Sequence, residues 1–172
     1  MSLTTKFDQF IIEGLCSVQD SRMIDLIEIE SCLFRDARQS FSKKYISEVE
    51  KEGLEKIQAY ILDNYLKSHF YNVQPHSFGL WKGIDQNSHN WHNDYLKHKK
   101  FNITCLYYLD DMDNNTGGSL QVRSLNSFSE IYPKEEMLVI LNQSKTFEHR
   151  VVATSHIRRL LSFDFFAPEL EN

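Results

Sequence analysis

The sequence predicts a mainly β single domain of 172 residues with helices in its N-terminal third, an α+β arrangement. From residue 77 onward, short β-branched and aromatic runs alternate with turn residues, which is typical of a double-sheet barrel or sandwich. Residues 1–70 lack this pattern and contain a helical stripe of apolar residues. We therefore expect residues 1–70 to form a helical support region that packs on one face of a β core over residues 71–172.

The clearest N-terminal element is a helix predicted over residues 46–65. Its apolar residues recur at helical spacing with Glu and Lys opposite, and Ser47 followed by Glu50 resembles a capping box. Upstream, residues 7–15 suit either an edge strand or a short lead-in. Residues 21–30 mix the helical and strand periods, and we interpret them as a helix.

Five strands are predicted with defined limits in the β core. They cover residues 101–109, 119–123, 137–141, 149–153 and 160–166. Each run is rich in β-branched or aromatic residues, which favour strands. A dense turn signal at residues 110–118 separates the first two strands, so these are expected to follow one another closely along the chain.

Charge and hydropathy exclude two classes of partner. The net charge is −5 and no basic run is present, which argues against nucleic-acid binding. The apolar runs are much shorter than the ~18 residues of a membrane span, so no membrane insertion is expected. The lysine-rich loop at residues 97–100 is either solvated surface or a lip that steers an anionic substrate.

The cysteines predict a reducing environment. Cys16, Cys32 and Cys105 are widely spaced and odd in number, which fits neither a disulfide framework nor a zinc site. Cys105 lies in an apolar run and is expected to be a small core residue. No positively charged segment followed by an apolar stretch marks the N-terminus, so a cytoplasmic location is the expectation.

Three residues, His92, Asp94 and His149, form a candidate metal site. Two imidazoles and one carboxylate can occupy one face of an octahedral ferrous ion, the arrangement of non-haem iron oxygenases. Side chains at i and i+2 of an extended segment point the same way, so His92 and Asp94 can reach one metal while His149 comes from another strand. A His-x-Asp triplet alone is weak evidence in a chain with 7 His and 24 acidic residues. Its position before a strongly apolar strand supports the metal interpretation.

An arginine that follows His149 is a candidate anion ligand. An arginine inside an apolar barrel must meet an anion, and its planar fork matches a carboxylate. Strand alternation places Arg159 on the more aromatic face, with Leu161, Phe163 and Phe165. It places Arg158 on the opposite face, with Leu160, Ser162 and Asp164. We take the aromatic face as the interior and predict Arg159, while Arg158 remains the alternative because a bulge would exchange the two.

These residues lie within a series of short segments that resembles one enzyme family. In chain order the segments are WHND (91–94), NITCLYYL (102–109), TGGSL (116–120), IYPK (131–134), LVI (138–140) and HRVV (149–152). Together with Arg159 and an aromatic final strand, they resemble iron(II)/2-oxoglutarate-dependent dioxygenases. The closest likeness is to the prolyl 4-hydroxylase branch, which includes the oxygen-sensing prolyl hydroxylases, and it covers residues 75–167.

The resemblance implies a double-stranded β-helix, a jelly-roll barrel with helices on one face and iron at one mouth. His92, Asp94 and His149 would be the catalytic iron ligands. Arg159 would bind the distal carboxylate of 2-oxoglutarate. The implied reaction hydroxylates an unactivated C–H bond and yields succinate and carbon dioxide. L-ascorbic acid would serve as the reductant.

Two further residues are implied to line the co-substrate pocket. Tyr108 lies where this branch offers a tyrosine hydroxyl to the distal carboxylate, although it also suits a packed core aromatic. Thr104 shares the face of Tyr108 by alternation, whereas Tyr107 points the other way. Family members often carry a tyrosine in the strand before the first ligand. This chain instead has Trp81 or Lys82 there.

The same resemblance favours a prolyl residue in a protein or peptide as the substrate, while free amino acids and other small molecules remain open. Candidate rim residues are Trp81, His89, Trp91, Tyr95, Asn102 and Arg123. Trp91 suits either stacking on a ring or core packing. The alternative function is a non-catalytic or differently metallated cupin-like binding protein in which Arg159 forms only a structural ion pair.

Overall fold

A computed structural model describes residues 10–11, 13–26, 35–36, 48–83, 90–94 and 101–170 of the chain. Among the described residues, nine strands form two sheets. The strands are β1 Leu15–Gln19, β2 Arg35–Asp36, β3 Gln74–Gly83, β4 Ile103–Tyr108, β5 Leu120–Arg123, β6 Phe128–Ile131, β7 Met137–Asn142, β8 Glu148–Val151 and β9 Arg158–Phe166. The helix α1, Glu48–Ile61, continues into a π-helical turn at Leu62–Leu66. Short 3₁₀ helices cover Ser21–Leu26 and Pro168–Leu170.

The six-stranded major sheet has the order β1-β7-β4-β9-β3-β2, and the three-stranded minor sheet has the order β6-β5-β8. All pairs are antiparallel except β2 with β3, which is parallel. Apart from the β5–β6 hairpin, paired strands are distant along the chain, as two interleaved sheets require. This arrangement is a double-stranded β-helix, and it confirms the fold class predicted from the sequence.

Two separate apolar clusters lie on the two faces of the major sheet. The inner cluster fills the space between the sheets and contains Leu15, Tyr108, Leu120, Val122, Val139, Leu141, Phe147 and Leu160. The outer cluster joins the helical region to the opposite face of the major sheet, through Leu54, Ile57 and Ile61 of α1 and Leu161, Phe163 and Phe165 of β9. The aromatic face of β9 therefore packs on the helix and not inside the barrel.

The N-terminal third contributes both strand and helix. The predicted helix over residues 46–65 appears as α1 and its π-helical turn, within the described part of that range. The helix expected over residues 21–30 is a 3₁₀ helix at Ser21–Leu26, and residues 27–30 lie outside the described residues. Strand β1 pairs with β7 at the edge of the major sheet, so this region also extends the barrel. None of the described helices is long and apolar enough to cross a membrane.

Asp20 connects the N-terminal region to the barrel. Its carboxylate, in a residue 4% exposed, accepts hydrogen bonds from Arg22 Nε at 2.7 Å, from Tyr60 Oη at 2.9 Å and from Tyr65 Oη. The Tyr107 hydroxyl of β4 donates to the Asp20 carbonyl at 3.1 Å. Burial alone raises the pKa of Asp20, but the donors from Arg22, Tyr65 and Tyr60 outweigh it and hold that pKa well below its usual range. The ionised carboxylate thus stabilises the contact between α1 and the sheet.

Asp20→Asn should lower the free energy of unfolding by about 2 kcal/mol, because hydrogen bonds to a charged group are lost. Because the folded-state pKa is depressed, the stabilisation is present above pH ~4 and decreases as the pH falls below that value. Urea unfolding at pH 7 and pH 3 measures both effects. The exposed neighbour Asp25 supplies the control Asp25→Asn, and equal stabilities of the two variants at pH 7 would contradict this role.

Candidate metal centre and co-substrate pocket

The side chains of His92, Asp94 and His149 come together at the edge of the minor sheet. One ligand atom from each lies within 4.8 Å of the others. The distance from His92 Nε2 to Asp94 Oδ1 is 3.9 Å, and that from His149 Nε2 to Asp94 Oδ2 is 3.8 Å. Protein ligands lie about 2.0–2.2 Å from a bound divalent ion, so two neighbouring donors lie roughly 3–3.5 Å from each other. The separations seen here are slightly longer than that. Two nitrogens and one carboxylate also form the donor set that suits a ferrous ion.

A single backbone pair positions both imidazoles. His92 N donates to the His149 carbonyl at 3.0 Å, and His149 N donates to the His92 carbonyl at 2.9 Å. Directly opposed residues of an antiparallel pair project their side chains to the same face, and the two rings lie 4.1 Å apart between centroids. The extended segment expected over residues 92–94 is limited to this one bridge.

Asn93, which the sequence analysis missed, anchors the segment that carries the first two ligands. The residue is 7% exposed, and its Nδ2 donates to the Ser144 carbonyl at 2.8 Å and to the Phe147 carbonyl. Those carbonyls precede His149, so Asn93 links the two parts of the metal site. The sequence feature that could have predicted this role is the position of Asn93 between the two candidate ligands His92 and Asp94.

The tautomer of His92 suits metal binding. Its Nδ1 lies 2.7 Å from the Asn90 carbonyl, which can only accept, so Nδ1 carries the proton. The lone pair of Nε2 then faces Asp94 and can ligate an ion. A backbone carbonyl in this position also orients the ring, as is usual for metal-ligating histidines.

The prediction that the Arg159 side chain enters the barrel is corrected by the structure. Arg159 lies on the outer face of β9, where its Nη2 contacts Asp110 Oδ1 at 2.7 Å and its Nε contacts Asp110 Oδ2 at 3.1 Å. The hydrogen bond to Asp110 raises the pKa of Arg159. The physical reason is the outer apolar cluster: the aromatic residues that share this face pack on α1, so aromatic bulk marked the outside of the barrel.

Arg158 is the arginine that points inward. It is 6% exposed, its Nη1 donates to the Gly118 carbonyl at 3.3 Å, and its Nε has no hydrogen-bond partner among the described residues. Burial lowers its pKa, while the nearby Tyr108 acts in the opposite direction. The buried guanidinium thus retains a donor directed into the pocket.

Tyr108 provides a second such donor. The side chain is fully buried in the inner cluster, and its hydroxyl has no partner within the described part of the chain. Burial raises the pKa of Tyr108 to about 12, against the effect of the Arg158 charge, so the hydroxyl is neutral and can donate. Buried polar atoms are almost always paired, so an unpaired hydroxyl beside an unpaired guanidinium nitrogen fits the carboxylate of a bound ligand.

Other expected pocket residues divide between the two faces of the sheets. Trp81 lies inside and donates from Nε1 to Ser162 Oγ at 2.7 Å, whereas alternation places Lys82 on the outer face. Thr104 is also inside, and its hydroxyl donates to Asp164 Oδ1 at 2.9 Å. Of the two candidates in this strand, Trp81 is therefore the one on the inner face.

Two proposed rim residues, Trp91 and Arg123, lie on the outer face of the minor sheet. The Arg123 guanidinium lies 4.3 Å from the centroid of the Trp91 ring and also pairs with Glu148 at 2.6 Å. Because Val122 belongs to the inner cluster, its neighbour Arg123 faces outward. The structure thus places both side chains outside the barrel.

Asn102 supports the fold. It is fully buried, and its side chain exchanges two hydrogen bonds with the Ala167 backbone, both at 2.8 Å. His89, Tyr95 and the lysine-rich loop at 97–100 lie outside the described residues.

Comparison with known proteins identifies the family. A family model described as the 2OG-Fe(II) oxygenase superfamily matches residues 80–166. No curated protein gives a significant sequence match.

Solved structures share the fold over almost the whole chain. A prolyl hydroxylase from Trichoplax adhaerens, in complex with a hypoxia inducible factor oxygen degradation domain peptide fragment, has a TM-score of 0.71 at 15% identity, covering 97% of this chain and 90% of that one. A Pseudomonas putida prolyl-4-hydroxylase has a TM-score of 0.61 at 16% identity, covering 96% and 99%. An oxidoreductase of the 2OG-Fe(II) oxygenase family from Burkholderia pseudomallei has a TM-score of 0.70 at 11% identity, covering 96% and 91%.

The match to the family model spans 87 of the 172 residues and runs from β3 through β9. It includes His92, Asp94 and His149, the three side chains that converge in the structure. On this evidence the chain belongs to the 2OG-Fe(II) oxygenase superfamily.

Proposed function

We propose that this protein is an Fe(II)- and 2-oxoglutarate-dependent dioxygenase that hydroxylates an unactivated C–H bond. His92, Asp94 and His149 hold the iron, and Arg158 with Tyr108 binds the distal carboxylate of the co-substrate. The observation that carries the proposal is the buried Arg158, whose Nε lacks a partner among the described residues of the same barrel that holds the metal triad. A dicarboxylate would bridge the two sites, because one end can bind the metal while the other pairs with the Arg158 guanidinium.

Arg158 and Tyr108 bind and orient the co-substrate. A guanidinium buried without an anion is costly, and a carboxylate offsets that cost while accepting hydrogen bonds from the planar fork. The neutral Tyr108 hydroxyl adds a donor from the adjacent strand β4. Together they select a ligand with a second carboxylate at the far end of the pocket from the metal.

The metal ligands and the apolar walls define the reaction site. Iron(II) held by these ligands with 2-oxoglutarate would supply an oxidative decarboxylation to succinate and carbon dioxide coupled to C–H hydroxylation, in which one oxygen atom of dioxygen enters succinate and the other the substrate, and ascorbate would keep the iron ferrous between turnovers. The hydrogen bond from His92 Nδ1 to Asn90 keeps Nε2 available as a ligand. Leu120, Val122 and Leu160 surround the pocket with apolar surface and exclude water from it.

A prolyl residue in a peptide, or a small molecule, is the substrate class supported by the structural neighbours, two of which are prolyl hydroxylases by name. The alternative is a cupin-like binding protein, for which a structural Arg159 ion pair was expected. Arg159 does form such a pair with Asp110. The buried Arg158 is not explained by that alternative, so the dioxygenase is favoured.

Arg158→Gln and Arg159→Gln form a matched pair that tests the co-substrate site. Arg158→Gln should weaken 2-oxoglutarate binding by roughly 30-fold or more, since truncating one partner of a buried charge pair costs about 2–5 kcal/mol. Arg159→Gln should leave that affinity within about twofold, because its partner Asp110 is on the outer face. Thermal-shift titration with 2-oxoglutarate and Mn(II) measures both affinities.

The opposite ranking of the two variants would reject Arg158 as the ligand. If the wild-type protein shows no stabilisation by 2-oxoglutarate with Mn(II), the binding-protein alternative replaces the dioxygenase.

Tyr108→Phe should raise the KM for 2-oxoglutarate about tenfold or more, the effect of losing one hydrogen bond of about 1.5–3 kcal/mol to a charged acceptor. The adjacent Tyr107→Phe removes a hydroxyl that donates to Asp20 on the other face of β4. It should lower the unfolding midpoint in urea without changing KM. Equal KM values for Tyr108→Phe and the wild type would show that Tyr108 is only a core residue.

His92→Ala and Asp94→Ala should each abolish metal-dependent succinate formation while the fold survives, because both side chains lie at the accessible edge of the minor sheet. Mn(II) affinity measured by electron paramagnetic resonance gives a readout that is independent of turnover, and circular dichroism reports the fold. The exposed His156 provides the control His156→Ala. Unchanged succinate formation in both ligand variants would falsify the iron site.

A further inference from the structure

We propose that Asp164 anchors a cationic group of the primary substrate, so that the molecule or side chain hydroxylated by this enzyme carries an amine or a guanidinium. The inference rests on the proposed dioxygenase function and adds the chemical class of the substrate. It begins from a carboxylate that no part of the metal or co-substrate site uses.

Asp164 lies on the inner face of the barrel. Alternation along β9 places it on the same face as Arg158, Leu160 and Ser162. Its Oδ1 accepts from Thr104 Oγ1 of β4 at 2.9 Å, and its Oδ2 accepts from Ser77 Oγ of β3 at 2.7 Å. Among the inward-facing residues of strands β3 to β9, Asp164 is the one with a carboxylate side chain.

Position along β9 separates the co-substrate from the substrate. Arg158 and Asp164 are six residues apart, which corresponds to about 20 Å along a strand. Arg158 itself is buried, and binding of the dicarboxylate there leaves the Asp164 end for the second substrate. That end is open, because the adjoining residues Gln74, Pro75 and His76 of β3 are exposed and Asp164 itself is only partly buried.

Asp164 also lies near the metal ligands. Burial raises its pKa to about 6, against the hydrogen bonds from Ser77 and Thr104, and the charge of Asp94 raises it further. The carboxyl group is therefore mostly ionised at neutral pH, and it is close enough to Asp94 to be affected by that charge.

The charge of Asp164 is not balanced by the protein. Its carboxylate accepts hydrogen bonds from two neutral hydroxyls, those of Ser77 and Thr104. It forms no ion pair with any Lys, Arg or His of the described residues. A carboxylate has about four acceptor positions, so two remain for a ligand. An asparagine at this position could also hydrogen-bond to β3 and β4, and it would add no second negative charge near Asp94. A purely structural role therefore leaves the ionised group unexplained.

The charges of the loaded pocket favour the same class of ligand. In the loaded pocket, Fe(II) would contribute two positive charges, the co-substrate two negative charges and Arg158 one positive charge. Asp94 and Asp164 add one negative charge each. One negative charge remains in a site of low dielectric. A monocationic substrate neutralises it, whereas an anionic substrate is repelled.

The test measures how substrates stimulate succinate formation above the rate seen without substrate. The probes are lysine and arginine as Nα-acetyl amides and at the centre of acetyl-capped tripeptide amides, so that the side chain carries the only cation. Each is compared with its counterpart of similar shape and neutral side chain, norleucine or citrulline. The wild type should be stimulated at least about tenfold more by the cationic probe of a pair than by the neutral one. In Asp164→Asn that ratio should fall towards one.

Two controls separate charge from structure. Asp164→Glu keeps the carboxylate and should keep the preference for cations, and Asp111→Asn removes an exposed carboxylate outside the pocket. A second readout is independent of turnover: Mn(II) bound with 2-oxoglutarate under anaerobic conditions should broaden the NMR signals of the lysine side chain in the wild type but not in Asp164→Asn.

Three outcomes overturn the proposal. One is stimulation by neutral probes that equals or exceeds that by cationic probes. Another is a cation preference that survives in Asp164→Asn, in which case the residue only ties β3, β4 and β9 together. The third is the absence of both stimulation and NMR broadening with every cationic probe. Failure of the dioxygenase proposal is distinct, since the wild type would then form no succinate even without a substrate.

Discussion

The packing of α1 on the aromatic face of β9 is the constraint on which the site depends. Leu161, Phe163 and Phe165 contact the helical region, so the alternate residues of the same strand must face the minor sheet. A one-residue change of register would exchange Arg158 with Arg159 and leave the barrel with a different polar lining. The helix, which carries none of the proposed site residues, thereby decides which cation enters the pocket.

The inner face that results is divided into zones of different charge. Arg158 and the Tyr108 hydroxyl form a buried donor end, the metal triad lies at the edge of the minor sheet, and Asp164 forms a partly exposed acidic end. Apolar residues such as Leu160 separate the polar groups from one another, and the buried Arg158 and Tyr108 are largely desolvated. This division allows one barrel to hold a dicarboxylate and a second substrate without mixing their sites.

The predictable features were those encoded locally. The strands over 101–109, 137–141 and 160–166 were found close to their predicted limits because their β-branched and aromatic content is strong. Strand β6, Phe128–Ile131, was missed since it is short and alternates between exposed and half-buried residues. Strand β1 was missed because a run at the edge of a sheet has a weak pattern of its own.

The sequence by itself determined the fold class, the order of the motifs and the residue types of the metal site, because alternation, turn residues and spacing are local properties of the chain. Only the tertiary structure decided that Arg158 faces inward, that Trp91 and Arg123 lie outside, and that Asp164 joins the pocket. Alternation along a strand defines two faces but does not say which one is inside. That choice belongs to the partner that covers each face, and here the larger aromatic surface was buried against the helix.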